Sequence, residues 1–160
     1  MRLVLTVCLA LVSFTQVQAR LTEKEPDLIK RFGPVVSRGD SRTSFEGRSF
    51  SVGTILSFRS DQWTIDTLML DDRCSRITYR KVGSWTDEQI IGLLDRNGGY
   101  GTYKEERTGL GKSFRKWKQA DGTLAQFSLN DLTLTHPTYE RRLALLKAKA
   151  QAESKQAPKF

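Results

Sequence analysis

Histidine and cysteine, which carry much of nucleophilic, metal and redox chemistry, are nearly missing from this sequence: it has one histidine, His136, and two cysteines, Cys8 and Cys74. So few imidazoles and thiols cannot supply the tetrahedral ligand spacing of a structural zinc. Asp71-Asp72 lacks the alternating oxygens of a calcium loop, so no metal is expected. A Ser-His-Asp triad would depend on His136, and no G-x-S-x-G sets a serine on a strained turn. Its place just before Pro137 marks His136 as a junction or capping residue between a strand and a helix. No C-x-x-C supports a redox role. Nor does any apolar stretch after the first twenty residues approach membrane-spanning length.

A complete phosphate loop is also lacking. Arg107–Phe114 reads R-T-G-L-G-K-S-F, and its Gly-Lys-Ser could end such a loop. The motif needs a glycine five positions before Gly111, so that backbone N–H groups can close round a phosphate. Glu106 stands there instead and would repel the ligand. The following F-R-K-W-K-Q reads as a strand rather than the helix that completes the site. No cofactor is assigned.

What the sequence does contain begins with a leader. Arg2 precedes the apolar run L-V-L-T-V-C-L-A-L-V-S-F, and V-Q-A follows at Val17–Ala19, the pattern of a secretory signal cut after Ala19. The run is about a dozen residues, short of the roughly 20 that span a bilayer. Residues 1–19 are therefore expected to be a signal peptide, 20–153 one domain and 154–160 a flexible basic tail, in a secreted or periplasmic protein. Lys and Arg number 26 against 18 Asp and Glu, a formal net charge of +8. Such an excess favours anionic surfaces without naming one.

With Cys8 in the leader, Cys74 is the mature chain's one thiol and has no internal disulfide partner. Strand alternation through L-M-L-D-D-R-C-S-R-I-T-Y puts Cys74, Arg76 and Thr78 on one face and Ser75, Ile77 and Tyr79 on the other. Cys74 is read as a small, partly buried strand residue; a disulfide-linked dimer through it is the less favoured alternative.

Periodicity and punctuation give an α+β fold. Glu23–Gly33 is a short first helix with Leu28, Ile29 and Phe32 on its apolar stripe, stopped by Gly33-Pro34. The polar run from Val35 to Arg48 is expected to be a loop. S-F-S-V-G-T-I-L-S-F-R-S is a strand bulged near Gly53, and Q-W-T-I-D-T-L-M-L and R-C-S-R-I-T-Y-R-K continue an antiparallel meander. The central helix, about 86–97, has Thr86 and Gln89 as a capping box, Trp85 and Ile90 as a hydrophobic staple, and Asn97-Gly98-Gly99 as a left-handed stop. A glycine-punctuated loop or short edge strand follows. Asp121-Gly122 then reads as a two-residue hairpin between F-R-K-W-K-Q-A and T-L-A-Q-F-S-L. Pro137 opens a C-terminal helix, about 137–153, with Tyr139, Leu143, Leu146 and Ala150 on one face.

Three functional readings compete. Carboxylates at Asp61, Asp66, Asp87 and Glu88 could serve a hydrolase, although Asp87 and Glu88 already suit the first turn of a helix. Arg115 and Trp117, on one face of F-R-K-W-K, could form an aromatic-basic patch for nucleic acid; lysine stems covering an apolar rim explain the pattern better, and nucleic acid is not the expected partner. Arg38-Gly39-Asp40-Ser41 contains an adhesive-type tripeptide but reads as a turn. From Arg141 on, basic residues crowd the last helix. Arg141, Arg142, Lys147 and Lys149 could meet anionic lipid or envelope polymer, at roughly 1 kcal/mol per charge near a charged surface. The preferred reading is an exported, non-enzymatic binding or envelope-associated module.

Overall fold

The computed structural model describes residues 21–99, 101–107, 111 and 113–156. The leader, the end of the tail and most of the Gly109–Ser113 loop lie outside the described residues. Eleven elements follow in chain order: α1 Glu25–Phe32, β1 Ser37–Phe45, β2 Arg48–Ser60, β3 Trp63–Leu70, β4 Arg73–Lys81, α2 Asp87–Arg96, β5 Lys104–Glu106, β6 Phe114–Lys118, β7 Leu124–Ser128, β8 Asp131–Thr135 and α3 Pro137–Gln156. The strands form one antiparallel sheet in the order β1-β2-β3-β4-β8-β7-β6-β5. The architecture is the α+β sheet with three helices that the periodicities predict.

One face of the sheet holds the main core. Leu56 and Phe58 of β2, Ile65 of β3, Ile77 and Tyr79 of β4, Trp117 of β6, Phe127 of β7 and Leu132 and Leu134 of β8 meet Leu28 of α1 and Ile90, Leu93 and Leu94 of α2 there. A smaller cluster on the other face joins Val52, Leu68 and Leu70 to Tyr139, Leu143 and Leu146 of α3. Beyond α3 that face is polar. Ser57 donates to Asp66 at 2.7 Å, Arg80 bonds both Asp66 and Asp131, and Thr78 meets Thr133 at 3.2 Å. Half-solvated antiparallel sheets behave this way, with one face packed and the other wet.

Several expectations need correction. The polar run after Val36 is not a loop but β1, the edge strand, paired with β2 from Ser37↔Ser57 to Phe45↔Arg48. An edge strand largely open to water has no buried face to impose an apolar period, so its sequence looks like loop. Glu46 and Gly47, both at positive φ (50° and 73°), make its two-residue turn. The adhesive-type triplet therefore lies along a strand rather than in a turn. Its Arg38 is paired with Glu25 at 2.5 Å and its Asp40 with Arg42 at 2.9 Å. The bulge near Gly53 is present: Ser41 faces Gly53, Arg42 faces Ser51, and Val52 is the extra residue.

A second bulge overturns the predicted facing of Cys74. Leu68 pairs with Arg76 and Met69 with Cys74, leaving Ser75 between them. The extra residue flips the alternation, so Cys74 joins Ile77 and Tyr79 in the main core. It is 1% exposed, and burial pushes its thiol up to about 12. Native protein should therefore leave Cys74 unmodified by a thiolate-selective aromatic disulfide over hours at pH 8, and react fully in denaturant. Rapid stoichiometric labelling of the folded chain would show that the thiol is open.

The capping box of α2 is formed, with Thr86 Oγ1 accepting from Gln89 N–H and Gln89 Oε1 from Thr86 N–H. Its stop differs from the left-handed one predicted. Asn97 sits at φ −101°, and its backbone and side-chain amides donate to the carbonyls of the last turn, including Leu93 O at 2.7 Å. That satisfies the orphan carbonyls without a glycine conformation. Ile91, expected in the buried face of α2, is 41% exposed. Asp121-Gly122 lies in a five-residue connection, closed by Gln119 N–H to Thr123 O at 2.9 Å, with Asp121 accepting from Thr123 N–H and Oγ1–H. The aspartate bends the chain through its own side chain, so two residues were too few. α3 continues to Gln156, three residues past its predicted end.

Candidate functional site

Pro137 pre-sets the first turn of α3, and His136 caps it: its Nδ1 accepts from Thr138 N–H at 3.3 Å and lies 2.9 Å from Thr138 Oγ1. Burial lowers the His136 pKa, in keeping with a neutral capping ring. From that start α3 runs over the polar-side cluster, held by Tyr139, whose hydroxyl accepts from Arg76 at 3.0 Å while the same guanidinium lies 4.7 Å from its ring centre. At the far end Glu153 accepts from Arg48 of β2 at 2.6 Å.

Between the first turns of α3 and the β3–β4 turn lies a groove of about 440 Å³. Three guanidinium groups line it: Arg141 and Arg142 from the helix, and Arg73 from the start of β4. Arg142 donates through one nitrogen to both oxygens of Asp71, at 2.7 and 2.8 Å. Arg73 reaches Thr22 O at 3.1 Å. Arg141 is exposed. Leu70 forms part of the wall and Leu145, 69% exposed, part of the lip. One carboxylate against three guanidiniums leaves the groove positive, and the two leucines give it apolar contact area.

The four basic residues singled out on this helix do not share one face of it. At about 100° per residue, Lys149 falls on the flank of Arg141, Arg142 and Leu145, while Lys147 falls on the opposite one. Lys149 lies 4.0 Å from Glu153, an exposed spacing that contributes little. Arg73 was missed because it stands far from Arg141 in sequence, and only the meander brings its turn under the helix. The D-D-R at that turn was its one local sign.

The other candidates are placed elsewhere. Arg115 and Trp117 do share a face, with the guanidinium 4.8 Å from the ring centre. Trp117, however, is 2% exposed, and Arg115 is held by Glu105 at 2.8 Å and Asp87 at 2.9 Å. A buried ring has no face to offer a base, which corrects the stacking reading. The carboxylates do not form a facing pair: Asp66 is tied to Asp131 through Arg80, Asp87 to Arg115, and Asp61 forms the β2–β3 turn at φ 49°. Glu88 is lowered by hydrogen bonds to its own N–H and to Thr86, and Glu105 by its bond to Arg115. Among the described residues, no three His, Cys, Asp or Glu side chains come together as metal ligands, and no helix is long and apolar enough to cross a membrane.

No protein-family model matches the chain, and no curated protein matches it. Among solved structures, it is similar in shape to a cysteine-rich secretory protein from Staphylococcus aureus subsp. aureus Mu50, with a TM-score of 0.37 and 7% sequence identity. The likeness covers 72% of this chain and 44% of that one, so the chain spans less than half of that protein's length. It is a distant structural match to a bacterial secretory protein and assigns no activity.

Proposed function

We propose that this protein is an exported binding module that docks on an anionic polymer or membrane surface through the groove of Arg73, Arg141 and Arg142. The observation that carries this reading is the convergence of three guanidiniums, the buried Leu70 and the exposed Leu145 on one groove of about 440 Å³. Planar guanidinium forks suit phosphate and carboxylate oxygens better than lysine does. A non-catalytic role is supported by the pairing of Asp66 and Asp87 with arginines and by the use of His136 as a cap.

The test is co-sedimentation of the mature chain with vesicles of anionic phosphatidylglycerol, or with a polyphosphate polymer, at low salt. Replacing Arg73 and Arg141 together with glutamine should weaken binding about thirtyfold, at roughly 1 kcal/mol per charge. Arg142 is left intact because its bond to Asp71 also fastens the helix. The difference should vanish by a few hundred millimolar salt, where the screening length falls well below about 10 Å. Lys147→Gln, on the far flank, should change little. Equal losses from the Lys147 variant and either groove arginine would reduce the effect to net charge, and no loss from the double variant would remove the proposal.

A further inference from the structure

On the packed face, at the opposite side of the sheet from the arginine groove, α1, α2 and the β2–β3 end enclose a second pocket of about 180 Å³. Its walls are aromatic and aliphatic: Phe32, Trp63, Tyr79 and Leu93 among them. These rings are fixed from behind. Phe32 packs on Phe58 and Tyr79 at centroid distances of 5.4 and 6.3 Å, and Trp63 stands edge-to-face on Trp85 at 4.9 Å. The pocket is therefore formed before anything enters it.

Its rim has the opposite chemistry. Arg31 and Arg96 line it together with Asn97. Arg31 is committed to Glu23, through Nε at 3.2 Å and a second, shorter bond. Arg96 is exposed and pairs with no carboxylate among the described residues. Both guanidiniums lie near enough to the buried Tyr79 hydroxyl to oppose the rise in its pKa that burial causes. The Asn97 side chain is spent on Leu93 O and the Tyr79 hydroxyl, which leaves Arg96 as the exposed charged group at the mouth, beside the Ser60 hydroxyl.

We infer that this pocket binds a small aromatic carboxylate, its ring between Phe32 and Trp63 and its carboxylate at Arg96. Size and shape set the class. A dry cavity of about 150 Å³ accommodates a benzene-sized molecule, so about 180 Å³ takes one ring with little to spare, and a half-open mouth lets the charged group meet the guanidinium. Flat walls of aromatic rings favour offset or edge-on ring contacts over a branched aliphatic body. A forked guanidinium favours a carboxylate over a hydroxyl. The site is independent of the anionic-surface reading, because it uses none of the groove residues.

Benzoate and phenylacetate are the probes, titrated into the full mature chain while the Trp63 indole N–H resonance and the melting temperature are followed. Both should shift the Trp63 signal saturably and raise the melting temperature. Benzyl alcohol and acetate, each carrying half of the recognition, should bind at least about tenfold more weakly, and Arg96→Gln should cost benzoate about tenfold while leaving the unliganded melting temperature unchanged. Lys147→Gln, equal in charge change and distant, should leave benzoate binding as it is. The inference is overturned if no probe moves the Trp63 signal, if benzyl alcohol matches benzoate, or if Arg96→Gln binds benzoate as well as the parent protein.

Discussion

Gly53→Ala is expected to cost the protein about 3 kcal/mol, the upper range for forcing extra atoms into a packed site, and to lower its melting temperature by roughly 10 °C. A Cβ at this position would lie 2.2 Å from Met69 O and 2.8 Å from Leu70 Cδ2. The first of these is backbone in the neighbouring strand, which cannot turn aside like a side chain. Relief would require β2 to part from β3 beside the bulged Val52, itself packed on Leu68 and Leu70. The matching control is Gly39→Ala on β1, where nothing lies within 4 Å of the added carbon. That change should be neutral or stabilise by up to about 0.5 kcal/mol, since glycine is costly in a strand. Urea melts of the two variants beside the parent decide the matter. If both behave alike, the close approach of β2 and β3 is not a feature of the folded protein.

The glycine also shows what a sequence can and cannot announce. A break in alternation at Val52-Gly53 was visible as a bulge, because Phe50 and Val52 are followed by Ile55 rather than by an apolar residue at 54. The bulge at Ser75 had no such sign. Polar and apolar residues occupy both sides of it, so simple alternation ran straight through and assigned Cys74 to the wrong face. β1 was illegible for a different reason: its stability comes from the backbone ladder to β2, which leaves no trace in side-chain pattern when both faces meet water. The helices were legible because their signals are local. Thr86 and Gln89 three apart, or Pro137 after His136, state a helix start within four residues.

The candidate site divides the same way. Arg141 and Arg142 were legible as part of a basic run. Their separation from Lys147 follows from helical geometry, but their union with Arg73 and Asp71 follows only from topology, which sets the β3–β4 turn beside the first turns of α3. The aromatic pocket was not legible at all. Phe32, Trp63, Tyr79 and Leu93 come from four elements, and each looks on its own like an ordinary core residue. What separates them from core is an unfilled space and an unspent guanidinium.

Ending the chain at Glu140 should abolish cooperative folding, and this is the second large effect expected. Val52, Leu68 and Leu70 are only 5%, 2% and 6% exposed; of the α3 side chains packed on them, Tyr139, Leu143 and Leu146, the truncation removes the last two and leaves Tyr139 without the helix that holds it. Exposing three aliphatic side chains at about 1.5–3 kcal/mol each removes up to roughly 4.5–9 kcal/mol, comparable to the whole stability of a small domain at about 5–15 kcal/mol. The lost ion pairs, Arg142 with Asp71 and Arg48 with Glu153, are surface contacts that add at most about 1 kcal/mol each. The shortened chain should therefore lose near-ultraviolet dichroism and a sharp thermal transition, whereas Leu145→Ala, at a side chain that is 69% exposed, should stay within about 0.5 kcal/mol of the parent. A truncated chain that still melted sharply within a few degrees of full length would mean that α3 rests on the sheet without holding it. Because the helix is both cover for the polar-side cluster and one wall of the arginine groove, its removal confounds stability with binding. The glutamine substitutions at Arg73 and Arg141 separate the two, since they discharge the groove and leave Leu143, Leu146 and Ala150 in place.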